Sequence, residues 1–259
     1  MVYVSDVLDF LWDVAPEDGK ESWDNVGLLV GRSTSQVTKI LTALDITLPV
    51  IREAEELGAQ LIVSHHPVIW DTYKFVTDRV LQQERVVQLI ENGLSAICMH
   101  TNLDEAKDGV DDTLVETLGL TPECHLAEGK IGHIATLETP VPMAEFLPMV
   151  QTKLHANGLR YVDSGKPVHK IATGCGSCGE YLKDAAEAGC DTFLTGDVKH
   201  NVFLDAKDYG MNLIDAGHFS TENPIVEKIT EKLQTQFPEI TVIQSKAMEQ
   251  PEQFFSDNC

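Results

Sequence analysis

The feature that most constrains the fold is an internal repeat of a helix, a glycine and a buried strand. Residues 53–66 (EAEELGAQLIVSHH) align with residues 184–197 (DAAEAGCDTFLTGD). Each copy begins with a helical pattern, stops at a glycine and continues into an apolar run that ends in polar residues. A second pair of similar segments follows, at residues 92–100 and 210–218. The repeat predicts two similar α/β halves, each of which carries functional residues at the carboxyl ends of its strands.

Helix and strand patterns alternate between the two copies as well as within them. The patterns in the first half predict a helix over 51–57, a strand over 61–63, a helix over 80–90 and a strand over 94–99. This alternation predicts an α/β protein in which helices cover the sheets. Residues 120–132 (LTPECHLAEGKIG) are rich in loop formers and place a boundary in mid-chain. We therefore expect two α/β lobes, residues 1–125 and 126–259.

Composition excludes several classes of protein. The chain has 41 Asp+Glu against 19 Lys+Arg, so its formal charge of −22 disfavours general nucleic-acid binding and anionic membrane surfaces. No apolar run reaches the ~20 residues of a membrane span, and residues 1–6 do not resemble a secretory signal. Six cysteines among 259 residues are too few for a disulfide scaffold. These features predict a cytoplasmic protein with reduced thiols.

Two adjacent histidines, His65 and His66, follow the first buried strand of the repeat. Adjacent side chains on a continuing strand point to opposite faces, so two histidines in one site require the chain to turn. Pro67 favours that turn because it helps to end the strand. A single histidine at a strand end is usually structural. This pair could instead bind one metal ion each, in a site with two ions about 3.5–4 Å apart.

Two further segments carry a histidine and, four residues later, a carboxylate. They are His100 to Asp104 and His218 to Glu222. Asp104 could alternatively be a helix cap or an acid in a loop, because the helix predicted over 110–118 begins shortly after it. Glu222 precedes a helix predicted over 225–233, with Asn223 as its N-cap, where an acid is also stabilised electrostatically. Imidazole and carboxylate together suit zinc, iron or manganese.

Other residues have structural as well as functional interpretations. Cys175 and Cys178 form a lone C-x-x-C in a glycine-rich turn, and without a second pair of ligands they are best explained by packing. Asp197 occupies the repeat position of His66 and could be a ligand, an acid that supports a ligand or a catalytic base. Trp23 could fill a packing gap, or the neighbouring Asp24 and Asn25 could frame a site.

Together the motifs resemble those of the NGG-interacting factor three-like family, many of whose members are labelled GTP cyclohydrolase I type 2 homologue. The motifs are ESWDNVGL at 21–28, LDIT at 44–47, SHHP at 64–67, HTNLD at 100–104, TGD at 195–197 and IDAGHFSTE at 214–222. The resemblance implies two lobes with a dinuclear metal site between them and assembly into a toroidal hexamer. Longer members of the family have a domain inserted in the middle, which we do not expect in a chain of this length. It also implies the metal ligands, which are His65, His66, Asp104, His218 and Glu222. The family often has a histidine shortly after TGD, where this chain has Asn201 preceded by His200.

The combined interpretation is a metal-dependent hydrolase with two divalent ions (Zn, Fe or Mn) per chain. The ions would acidify a bound water, and the hydrolysis would be GTP cyclohydrolase-like or act on a phosphoester or nucleotide. Asp197 or His100 is the candidate acid or base. The substrate would be a small molecule, and no other cofactor is expected. The alternative is a non-catalytic metal protein, either a metal carrier or an interaction hub.

Overall fold

The structure, a computed structural model, describes residues 1–127 and 131–255. The helices in these ranges are α1 Val4–Val14, α2 Leu48–Leu57, α3 Leu81–Glu91, α4 Thr101–Asp104, α5 Val110–Leu118, α6 Met143–Lys153, α7 Leu182–Glu187, α8 His200–Tyr209, α9 His218–Glu222 and α10 Pro224–Gln236. The strands are β1 Val2–Tyr3, β2 Gly27–Val30, β3 Gln36–Val37, β4 Lys39–Ala43, β5 Leu61–Ser64, β6 Ser95–Cys98, β7 Pro122–His125, β8 His133–Val141, β9 Arg160–Val162, β10 Val168–Thr173, β11 Thr192–Thr195, β12 Asn212–Asp215 and β13 Thr241–Gln244. None of the helices in the described ranges combines the length and the apolar composition needed to cross a lipid bilayer.

The chain divides into two compact units. The first unit contains Met1–Lys107 and Ile225–Glu249, and the second contains Asp108–Pro224 and the chain from Gln250. In the first unit β13, β4, β5 and β6 lie parallel in that order, and β2 pairs antiparallel with β6. Every residue of β5 and β6 is buried, because both faces of a parallel sheet are covered. Gly58 ends α2 in the left-handed conformation, with φ of +66°.

The second unit has a sheet of strand order β7-β8-β10-β11-β12-β9. Its strands β10, β11 and β12 are parallel, whereas β8 and β9 pair antiparallel with β10 and β12. Phe193 and Leu213 lie in its core and pack with Ala185 of α7 and Ala206 of α8. The α/β class is confirmed, and the predicted helix over 110–118 has the bounds of α5.

The two sheets share a four-strand order, β4-β5-β6-β2 and β10-β11-β12-β9, with the same strand directions. The strand registers shift the alignment of residues 92–100 with residues 210–218 by one residue. Leu61 pairs with Ser95 and its repeat partner Thr192 pairs with Asn212, so Ser95 corresponds to Asn212. Counting forward, Thr101 corresponds to His218 and His100 to Gly217. His100 and His218 are therefore not equivalent residues of the repeat.

The expected boundary between residues 125 and 126 does not coincide with a boundary of the compact units, which change over after Lys107, Pro224 and Glu249. The helix α10 and the strand β13 belong to the first unit, because β13 extends its sheet beside β4. The stretch 120–132 is not simply a loop, since β7 lies within it and pairs antiparallel with β8. Residues 128–130 of that stretch lie outside the described residues.

Candidate metal centre

His65 and His66 lie directly after β5. The chain turns there, which is the condition for both side chains to reach the same site. The Ser64 hydroxyl donates a hydrogen bond to the His66 carbonyl (2.9 Å), and the His66 N–H donates to the Leu44 carbonyl (2.9 Å). The two imidazole centroids consequently lie only 4.8 Å apart. Nδ1 of His65 donates to the Met99 carbonyl (2.9 Å), and Nδ1 of His66 donates to Asp45 Oδ1 (2.8 Å). Each ring is thereby held in one orientation.

His100 is held by a buried carboxylate. Its Nδ1 donates to Oδ1 of Asp24 (2.9 Å), while the N–H and hydroxyl of Thr101 donate to Oδ2 of Asp24 (3.0 and 2.6 Å). Burial raises the pKa of Asp24, but the hydrogen bonds from His100 and Thr101 outweigh it and bring the pKa to about 2. Asp24 is therefore a stable anion in contact with His100. Trp23 does not fill a packing gap, because it is 62% exposed.

Asp104 ends α4 and faces the same cluster. Its Oδ1 lies 3.5 Å from Nε2 of His65. The alternative that Asp104 caps the following helix is wrong, because the N-cap of α5 is Gly109. The first unit thus brings together three histidines and a carboxylate at the carboxyl ends of β5 and β6.

The second unit brings His218, Glu222 and Asp197 together. Gly217, with φ of +86°, turns the chain after β12 and begins α9. Nδ1 of His218 donates to Oδ2 of Asp197 (2.9 Å), and Nε2 of His218 lies 2.9 Å from Oε2 of Glu222. Glu222 is buried at the end of α9. Asn223 is not an N-cap, because its φ of −56° and ψ of −28° are helical.

A glycine turn packs directly against the Glu222 carboxylate. Gly176 has φ of +56°, and its N–H donates to the Thr221 hydroxyl (3.0 Å). A Cβ on Gly176 would lie only 2.1 Å from Oε1 of Glu222. A further hydrogen bond holds this turn, because the N–H of Cys175 donates to Asp111 (3.0 Å).

The two cysteines of this turn make hydrogen bonds to the turn and to Asp111. The thiol of Cys178 donates a hydrogen bond to the Cys175 carbonyl (3.1 Å), and neither cysteine forms a disulfide within the part of the chain that the structure describes. Across 1–127 and 131–255, neither sulfur belongs to a group of side chains with metal-binding spacing. His200, which differs from the family pattern, is exposed at the start of α8.

Sequence reasoning gave no role to Asp45 or Gly176. Asp45 follows the buried strand β4 within the LDIT motif, so its place at a strand end was a usable signal. Gly176 had no such signal, because its contact with Glu222 joins residues that are distant in the chain.

Comparisons with known proteins identify relatives over almost the whole chain. The model of the family Duf34/NIF3 (NGG1p interacting factor 3) matches residues 2–251. "GTP cyclohydrolase 1 type 2 homolog" of Clostridium perfringens is 35% identical, with 97% of this chain and 99% of that protein covered. The crystal structure of Staphylococcus aureus hypothetical protein SA1388 has a TM-score of 0.90 at 30% identity, covering 98% and 99% of the two chains. Reduced HcgD from Methanocaldococcus jannaschii has a TM-score of 0.83 at 29% identity, covering 95% and 98%.

Proposed function

Because the chain belongs to the Duf34/NIF3 family (NGG1p interacting factor 3), we propose that it binds two divalent metal ions and acts as a metal-dependent hydrolase. The proposed ligands are His65, His66 and Asp104 from the first unit and His218 and Glu222 from the second. Glu222 is the residue suited to bridge both ions, because its two oxygens can each take one. Zinc, iron and manganese all fit this mixture of imidazole and carboxylate.

One observation carries the proposal. In His65, His66 and His218 the Nδ1 atom donates to a carbonyl or carboxylate oxygen. Metal-binding histidines are oriented by such partners, which fix the tautomer and leave the other nitrogen as the donor atom. The partners differ in kind and come from different elements, so the shared arrangement is not a by-product of one repeated loop.

When bound, the ions would supply a water of lowered pKa and would polarise the bond to be cleaved. This chain's residues would orient the imidazoles through Asp45, Asp197 and the Met99 carbonyl. Asp197 accepts a hydrogen bond from His218, which supports an orienting role for it. The acid or base roles of Asp197 and His100 stay predictions.

The substrate class rests on the relatives. The Clostridium perfringens relative is named "GTP cyclohydrolase 1 type 2 homolog", so a nucleotide is the first small molecule to test. Cytoplasmic location and a toroidal homohexamer remain part of the proposal, and sedimentation of the purified chain would test the hexamer. The competing function is a metal carrier or interaction hub, which would bind the same ions without turnover.

Metal analysis of the loaded protein tests the site. We expect two ions per chain, fewer in His65→Ala and Asp104→Ala, and the loss of at least one ion in Glu222→Gln with the fold retained. His200→Ala is the matched control and should keep two. A saturating value of one ion in the wild type would contradict the dinuclear site. Retention of two ions by Glu222→Gln together with a loss in His200→Ala would show that the ligands are wrong.

A screen with nucleotide and phosphoester substrates then separates hydrolase from carrier. Turnover that disappears in Glu222→Gln supports the hydrolase. Rapid metal exchange with no turnover of any substrate supports the carrier.

A further inference from the structure

Near the end of the described chain, a strap that runs from Gln250 to Phe254 belongs to the second unit. Residues close to a chain end are usually poorly ordered unless specific contacts hold them. Here the Asn157 backbone N–H donates to Oε1 of Gln250 (2.9 Å), and the Asn157 side-chain amide donates to the Glu252 carbonyl (2.9 Å). The Phe254 ring covers Gly158, where a Cβ would lie 2.4 Å from Cγ of that ring. The strap is therefore attached at both of its ends to the loop after α6.

The Gln250 side chain connects this strap to α9. Its Oε1 also accepts a hydrogen bond from the hydroxyl of Ser220 (3.4 Å), which is a buried residue. Its Nε2 lies beside the start of the helix, since a Cβ on Gly217 would be 3.4 Å from that nitrogen. Ser220 occupies the middle of α9, between the proposed ligands His218 and Glu222. Gln250 thus contacts the helix both at its start and between the two residues that are proposed to bind metal.

The helix α9 is too short to keep its position by itself. It has five residues, whereas isolated helices shorter than about 12–15 residues are marginal in water. Tertiary contacts must therefore hold it. A Cβ on Gly196 would lie 2.8 Å from the Gly217 carbonyl carbon and from the His218 nitrogen, so Gly196 packs against the first peptide of the helix. Gln250 supplies the acceptor that the buried Ser220 hydroxyl uses in the described structure.

We propose that the strap holds α9 in place and that Gln250 is a positioning residue for His218 and Glu222. Detachment of the strap removes contacts at the start and in the middle of α9, so the second unit then binds its ion more weakly. The inference rests on the proposed metal-binding function. It adds a requirement that the ligand motifs do not contain, because the strap lies outside all of them.

Amide hydrogen exchange of the metal-free, full-length protein tests the strap without any ion. In Gln250→Ala we expect residues 217–223 to exchange about tenfold faster or more, the effect of losing a buried hydrogen bond. Gln250→Glu keeps an acceptor oxygen for Ser220 and should retain most of the protection. Phe254→Ala should accelerate the same amides, because it frees the far end of the strap. Phe255→Ala is the matched control, since Phe255 is 91% exposed, and it should change nothing.

Zinc titration of the same variants measures the consequence for metal binding. We expect Gln250→Ala to weaken one ion about 10–100-fold, the range for loss of a group that orients metal ligands. Urea unfolding separates positioning from a general structural role. A general role would lower the free energy of unfolding and leave the zinc affinity of the folded protein unchanged. Circular dichroism checks each fold, and Phe254→Ala carries the test if Gln250→Ala does not fold.

Two results would overturn the proposal. One is unchanged exchange of residues 217–223 in Gln250→Ala, and the other is faster exchange with unchanged zinc affinity in a protein that does bind zinc through Glu222. Failure of the metal proposal looks different, because zinc affinity would then be the same in the wild type and in Glu222→Gln. The exchange data from the metal-free variants would still decide whether the strap holds α9.

Discussion

Gly176 offers a direct test of how the second unit holds Glu222. Its φ of +56° is left-handed, and a Cβ there would lie 2.1 Å from Oε1 of Glu222 and 3.3 Å from Cε1 of His218. Real Cβ atoms essentially never approach another heavy atom within 3.0 Å. The Gly176→Ala substitution must therefore displace the Glu222 carboxylate.

The expected cost in folding is modest. A residue with a Cβ pays about 1–2 kcal/mol in the left-handed region. The close contact adds little, because the end of a flexible side chain can rotate away. Folded domains have about 5–15 kcal/mol of stability, so the fold should persist. The displaced Glu222 carboxylate would no longer be positioned to bind metal. We therefore expect the affinity for at least one divalent ion to fall by about tenfold or more.

The matched control is Gly189→Ala. Gly189 has φ of +75°, but a Cβ there meets nothing within 4 Å. The two variants should therefore lose similar free energies of unfolding in urea without metal. Only Gly176→Ala should lose affinity for Zn²⁺ or Mn²⁺ in calorimetric titration. Equal metal affinities in the two variants would refute the reasoning, since they would show that the Gly176 turn does not position Glu222.

Three further predictions test other parts of the chain. Replacing both Cys175 and Cys178 by Ser should leave metal content unchanged by elemental analysis, because Cys178 bonds within the turn and Cys175 bonds to Asp111, which is not a candidate ligand; a loss of metal would show that the cysteines are ligands. Burial raises the pKa of Glu53, but hydrogen bonds from residues 245–247 outweigh it and lower the pKa below 4.5. Its stabilising contribution is thus complete above pH 4.5 and is lost as the pH falls through the folded pKa. Glu53→Gln should cost about 1 kcal/mol in urea unfolding at pH 7 and less at pH 3, and an equal cost at both would contradict this. Burial raises the pKa of Cys98 to about 11, so iodoacetamide at pH 8 should alkylate the exposed Cys124 and spare Cys98, as peptide mass spectrometry would detect.

Local patterns account for the parts of the fold that were predictable. The apolar runs before His65 and Asp197 are the buried strands β5 and β11, and Gly58 ends α2. Such signals are contained within a few consecutive residues. The spacing of apolar residues in a helix or strand repeats every two to four residues, and a glycine that ends a helix lies directly after it. Of the candidate ligands, His65, His66 and His218 follow closely after strands, whereas Asp104 and Glu222 end the short helices that come next.

Pairing between distant segments accounts for what was missed or misaligned. The one-residue shift that separates His100 from His218 exists only in the strand registers, which hydrogen bonds between strands set. The assignment of α10 and β13 to the first unit follows from β13 pairing with β4, about 200 residues earlier.

The sequence by itself determined the fold class and, to within one residue, the bounds of the strands β5 and β6, and it named the ligands that stay predictions. Only the tertiary structure decided which groups contact the candidate site residues: Asp24 lies 76 positions from His100, and Gly176 lies 46 positions before Glu222. Side-chain hydrogen bonds and van der Waals contacts act over a few ångströms, so residues far apart in the chain acquire their roles only after the strands have paired and the loops at their ends have met.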